Sequence, residues 1–136
     1  RVMLGLTILL SVAGAITALG DTLFPPGSLA EGLQQDFAPT TAWLVRLRVV
    51  HPMFAVALGF ALLLVLSPLV GRTQGILRRL IIALMSLIVI QLFAGAVNVF
   101  FLAPVWMQLV HLLLADLIWL VFVLIVASMK RDFSPD

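Results

Sequence analysis

The chain has 136 residues, of which 63% are hydrophobic and only 10% charged, and its formal net charge is +2. So little polar surface cannot cover a water-soluble domain of this size, so the bilayer must be the solvent. The small positive charge gives no reason to expect nucleic acid, and the absence of cysteine excludes disulfides, iron–sulfur clusters and thiolate chemistry.

The first predicted span, residues 2–20, starts one residue after Arg1. No charged leader or small-residue cleavage site precedes it, so it does not read as a signal peptide. The chain lacks an initiating Met, and further sequence upstream of Arg1 is expected. The next stretch, "GDTLFPPGSLAEGLQQDFAPTTA", stops the helix at Pro25-Pro26-Gly27. Within it, residues 28–37 fit a short amphipathic helix. Ser28 and Glu31 have capping-box spacing, and Leu29, Leu33 and Phe37 form one apolar stripe. Such a helix is expected to lie in the interface like a lid, or to serve only as a surface linker.

The second, third and fourth spans are expected at residues 42–68, 78–102 and 105–129, each long enough to cross about 30 Å of hydrocarbon. Arg1, Arg72, Arg78, Arg79, Lys130 and Arg131 all fall on one side, which the positive-inside rule makes cytoplasmic, with both termini. Arg46 and Arg48 are on the other side and need a local reason. Trp43 and Trp106 start two spans, as interfacial anchors should. The fold class expected is an all-α membrane protein, a single four-transmembrane-helix domain over residues 1–136.

An internal repeat divides the chain into two helical hairpins. "AGAITALGDTLFP" in the first span matches "AGAVNVFFLAP" in the third, pairing Gly14 with Gly95 and Thr17 with Asn98. Each is followed by a proline-marked loop and then by a span with one histidine, His51 or His111. Repeated hairpins often place a site at their interface. Both imidazoles fall roughly 9–13 Å into their helices from the same end.

A histidine inside a membrane is costly unless it pairs or binds something. A structural hydrogen-bonded pair is one reading. Zinc fits poorly, because it takes three or four protein ligands and Asp116 is turned about 140° from His111. A haem needs only two axial ligands, and His51 and His111 meet that count. Ala55 and Ala115, one turn beyond each histidine, and Gly14 and Gly95 offer clearance for a flat macrocycle. Arg48, one turn nearer the aqueous edge than His51, suits a haem propionate, with lipid snorkelling as the alternative; Arg46 is expected to snorkel to lipid phosphate or to line the lid. Gln91 and Asn98 share one face and are expected to bond across helices. Asp116, the one acid inside a span, is expected to be protonated or to pair with one of them, in a structural hydrogen bond rather than a proton relay.

The segments "GAITALGDTLFP", "FAPTTAWLVRLRVVHP" and "LVHLLLADLIW" resemble haem A synthase, and the resemblance covers essentially the whole chain. That family is built as eight transmembrane helices in two similar four-helix halves. It implies oxidation of the haem O methyl group to a formyl in the N-terminal half and a haem b cofactor in the C-terminal half. Carried over, His51 and His111 would be the axial ligands of that haem b. The catalytic half resembles Glu-x-x-His, whereas this chain reads Arg48-Val49-Val50-His51, so the match is to the cofactor half and no catalytic residue is assigned. The resemblance further implies an N-terminal four-helix half or a second copy as partner, and a farnesyl-transferring haem O synthase or an oxidase assembly factor. It places the protein in a bacterial-type cell membrane with the histidines toward the outer face. Two rivals share the residues: a stand-alone four-helix cytochrome b subunit of a respiratory complex, and a haem-free scaffold.

Overall fold

A computed structural model describes residues 2–132; Arg1 lies outside these, as do the side chains of Lys130, Arg131 and Asp132. The described chain is all-helical: α1 (Val2–Leu23), α2 (Leu29–Phe37), α3 (Trp43–Arg72), α4 (Gly75–Phe100) and α5 (Val105–Asp132). Among them α1, α3, α4 and α5 are long and apolar enough to cross a membrane. Their large apolar side chains point outward, with Leu64 73% and Phe93 71% exposed. That exposure is costly in water and costless in lipid.

The helix ends differ from the expected bounds of 68 for the second span and 78–102 for the third. Pro68 does not end α3, which runs on to Arg72. A membrane helix absorbs a proline because its neighbours satisfy the freed carbonyl. α4 starts at Gly75, whose φ of +61° turns the chain sharply after α3, and it ends at Phe100. The α4–α5 turn is made by Leu102 and Ala103, both left-handed at φ 60° and 53°. It is closed by Ala103 N–H donating to Asn98 O at 2.8 Å.

The four long helices form a ring in the order α1, α3, α4, α5, with α1 touching α5 least. The two predicted hairpins are therefore neighbouring pairs, α1 with α3 and α4 with α5, and the histidine-bearing helices α3 and α5 stand at opposite corners. α2 lies across one end, against α3. Arg72, Arg78 and Arg79 stand at the far end, where α3 meets α4.

Packing is divided along the bundle axis. The half toward the far end is filled by Leu62, Leu66, Ile81, Leu84, Ile88, Ile118 and Ile125, with Ile81 and Leu84 each only 1% exposed. In lipid, such interdigitation replaces the hydrophobic effect as the force between helices. Few aliphatic residues are buried at the α2 end. There α1 instead turns the small buried residues Thr17 and Gly20 toward α3. A Cβ on Gly20 would stand 3.1 Å from Leu44 O, so the two backbones approach closely.

Candidate functional site

The half-bundle beside α2 is built around two imidazoles. His51 lies eight residues into α3, about 12 Å from its start, and His111 six residues into α5, about 9 Å. Both helices start at the α2 end, so the rings share a similar depth. Each ring packs on the glycine of its own hairpin partner. A Cβ on Gly14 would stand 2.8 Å from His51 Cε1, and a Cβ on Gly95 would stand 3.1 Å from His111 Cε1. The Gly14–Gly95 and His51–His111 matches seen in the sequence are thus one contact made twice.

The hydrogen bonding of the rings is incomplete. Nδ1 of His51 and Nδ1 of His111 are buried without a partner. Gln91 Nε2 lies 3.1 Å from His111 Nε2. Gln91 thus ties α4 to α5 through Nε2 of His111. Gln91 therefore bonds across helices as expected, and its partner is a histidine. Asn98 does not: its Oδ1 is buried without a partner. Asp116 departs further from expectation. It is exposed on the outer surface of α5, with no bond to Gln91 or Asn98. The 3.6-residue period turns it away from the face that carries His111.

Arg48 stands one turn from His51 toward the α2 end and gathers three elements. Its Nε donates to Asp21 Oδ1 at 2.6 Å, Nη1 to Gln35 Oε1 at 3.3 Å, and Nη2 to the carbonyls of Gly20 and Phe24. Asp36 Oδ1 lies 3.7 Å from Nη1, within ion-pair reach but without a hydrogen bond. The Arg48 and Asp21 side chains are only 9% and 16% exposed. Burial pushes the Asp36 carboxyl above the usual carboxylate range, and the Arg48 charge pulls it the other way. The local reason for a cation here is thus a tie between α1, α2 and α3. Four of the five guanidinium N–H groups are engaged, so a propionate would share a donor or displace Gln35. Asp21, Gln35 and Asp36 were not singled out from sequence as Arg48 partners. The available signal was a loop rich in acids beside a misplaced arginine.

α2 docks by its polar face. Gln35 and Asp36 turn inward to Arg48, and Gly32 is buried against Pro26. The apolar stripe looks outward, with Leu33 59% and Phe37 72% exposed. Ser28 Oγ caps the helix by accepting from Glu31 N–H at 3.2 Å. The capping box is displaced by one residue, because Glu31 Oε2 accepts from Gly27 N–H, at 2.9 Å, in place of Ser28 N–H.

The donor set fits a group that needs two nitrogens. No cluster of three or more His, Cys, Asp or Glu capable of holding a bare metal ion occurs among the described residues. Two imidazoles on opposite corners of the ring, at similar depth and with glycine in place of any β-carbon beside each, suit a porphyrin iron. Two surface depressions lie elsewhere, one beside Arg78 at the α3–α4 turn and one between Leu63 and Ile90 on the outer surface. Neither touches a histidine.

Residues 1–123 match the COX15-CtaA family, described as "Cytochrome oxidase assembly protein". Two curated relatives, from two strains of Thermus thermophilus and both named "Protoheme IX farnesyltransferase", are each 47% identical over 123 residues. The aligned region is 89% of this chain but 20% of each relative, so the chain spans about one-fifth of their length. No solved structure matches the chain.

Proposed function

Since the chain belongs to the COX15-CtaA family of cytochrome oxidase assembly proteins, we propose that it is the haem b-binding four-helix half of a haem A synthase. The observation that carries this reading is the duplicated glycine–histidine contact, which sets one imidazole on α3 and one on α5 at similar depth. His51 on α3 and His111 on α5 would hold the haem iron, one from each helix. Gln91 occupies Nε2 of His111 and would have to give way if that nitrogen held the iron. Gly14 and Gly95 keep the space against each ring clear. Arg48 would hold a propionate at the edge of the site through the donor now given to Gln35, with Asp21 still paired to Nε. A haem b so held supplies one-electron transfer.

Oxidation of the haem O methyl group belongs in this reading to a companion four-helix half with Glu-x-x-His, because the corresponding position here is the cation Arg48. The relatives' name, which concerns protohaem IX, supports a substrate of the haem class. It also favours a farnesyl-transferring haem O synthase as the functional partner. The histidines lie toward the outer face of a cell membrane, with the arginine-bearing end of the bundle cytoplasmic. A second reading, a cytochrome b-type electron-transfer subunit, is favoured by one observation, the replacement of the acid by Arg48.

The test is spectroscopic. The chain purified after expression with ample haem should show a Soret band and a low-spin bis-histidine signature, and His51→Ala or His111→Ala should each abolish that signature. Absence of a Soret band, or an unchanged signature in both variants, sinks the proposal. Conversion of haem O to haem A by the longer polypeptide, and its loss in His51→Ala, separates the synthase from the cytochrome reading.

A further inference from the structure

The two depressions on the outside of the bundle lie along one seam, between α3 and α4. The first, about 430 Å³, is at the turn that joins the two helices, and its walls include Val70, Gly71 and Arg78. The second, about 370 Å³, is a groove walled by Leu63, Met85, Val89 and Ile90, with Ser86 beside them. On α3, Leu63 and Val70 are seven residues apart, and on α4 so are Arg78 and Met85. Seven residues make nearly two whole turns, so each helix turns one face to both hollows. The hollows differ in chemistry and in depth. The one at the turn holds a guanidinium and is flanked in sequence by Arg72 and Arg79, all three exposed. The groove is apolar but for Ser86, and it runs from Met85 to Ile90, about 10–18 Å along α4 from Arg78. One leaflet of the hydrocarbon layer is about 15 Å thick, half of the whole. A cationic hollow at the end of two spans, above an apolar groove in the same leaflet, has the polarity of a phospholipid.

We propose that this seam binds one anionic phospholipid, its phosphate held by Arg78 and one acyl chain laid in the groove between Leu63 and Ile90. A guanidinium meets a phosphate with two parallel hydrogen bonds. Three arginines stand within residues 72–79 and no acid lies among them, so a headgroup of net negative charge is favoured over a zwitterionic one. Snorkelling by itself would bring arginines to the surface whatever lay below them. It gives no reason for an apolar groove in register beneath. The hollow is also open to a headgroup, because nothing lies within 4 Å of a Cβ added to Gly71 or Gly75. A free phosphate ion would use the arginine and leave the groove empty, so a lipid is the occupant that accounts for both. The proposal is independent of haem, since neither hollow touches a histidine.

Native mass spectrometry of the purified full chain is the test. Equilibrated in detergent with equal amounts of phosphatidylglycerol and phosphatidylcholine, the chain should retain one phosphatidylglycerol. Inorganic phosphate at millimolar concentration should not displace it. Arg78→Gln should weaken retention about tenfold, the worth of a charge-assisted contact at the membrane surface. Arg79→Gln removes the same charge one residue away from the hollow and should weaken retention by about threefold or less. Gly71→Leu should weaken it by about fivefold or more, because the new side chain fills the hollow. Its thermal unfolding in detergent should come no earlier than that of the parent chain, since helix propensity favours leucine and nothing lies within 4 Å of the added Cβ. Equal retention of the two lipids, an Arg79→Gln as damaging as Arg78→Gln, indifference to Gly71→Leu, or displacement by phosphate would overturn the proposal.

Discussion

Replacing Gly14 by alanine tests the site through its tightest contact. The added Cβ would stand 2.8 Å from His51 Cε1 and 3.2 Å from Nε2. Carbon atoms rest at about 3.5 Å or more, so the ring must retreat by about 0.7 Å. At Gly95 the same construction gives 3.1 Å to His111 Cε1, a retreat of about 0.4 Å. A site tolerates displacement of about 0.5 Å before its geometry fails, so the two alanines should fall on opposite sides of that threshold. Gly14→Ala should lose the low-spin bis-histidine spectrum, while Gly95→Ala keeps it with weaker retention of haem. Overpacking should also cost Gly14→Ala about 1–3 kcal/mol in thermal or denaturant unfolding of the haem-free protein. Gly5→Ala on the same helix is the control. Nothing lies within 4 Å of its added Cβ, and helix propensity favours alanine by up to about 1 kcal/mol. Reversed order, with Gly95→Ala the more damaging, or a Gly14→Ala variant as stable and as well loaded as Gly5→Ala, would refute the inference that these glycines set the position of the rings.

Arg48→Leu should cost about 3 kcal/mol, because it leaves Asp21 buried and unpaired. Limited proteolysis should then cut between residues 24 and 42, and the double variant Arg48→Leu/Asp21→Leu should recover most of the stability while haem retention stays low. Gln91→Leu should cost the haem-free protein about 1 kcal/mol for the lost hydrogen bond. Haem titration of the same variant should show affinity equal to or above wild type, since the Gln91 contact competes for His111 Nε2. A collapse in affinity would show that Gln91 orients the ring in the loaded state.

The sequence by itself determined whatever depends on position along a helix axis. A run of about 20 apolar residues has to span, whatever its neighbours do. The rise of 1.5 Å per residue put His51 and His111 at similar depth, and the repeat paired Gly14 with Gly95 before any helix was packed. Ser28 could be read as a cap because its partner, Glu31 N–H, lies within one turn. What only the tertiary structure decided was rotation about those axes. In a water-soluble helix, polar residues mark the outer face. In α3, α4 and α5 nearly every face is apolar, so hydropathy does not say which one packs. For that reason Asp116, expected inside beside Gln91, is outside, and Gln91 was known to point inward without its partner being known. The acids that hold Arg48 come from α1 and α2, 27 and 12 residues away in the chain, and only packing brings them together. The same holds for α2, whose apolar stripe is plain in the sequence. Which of its faces docks was settled by one buried guanidinium that needed carboxylates more than the bundle needed leucine.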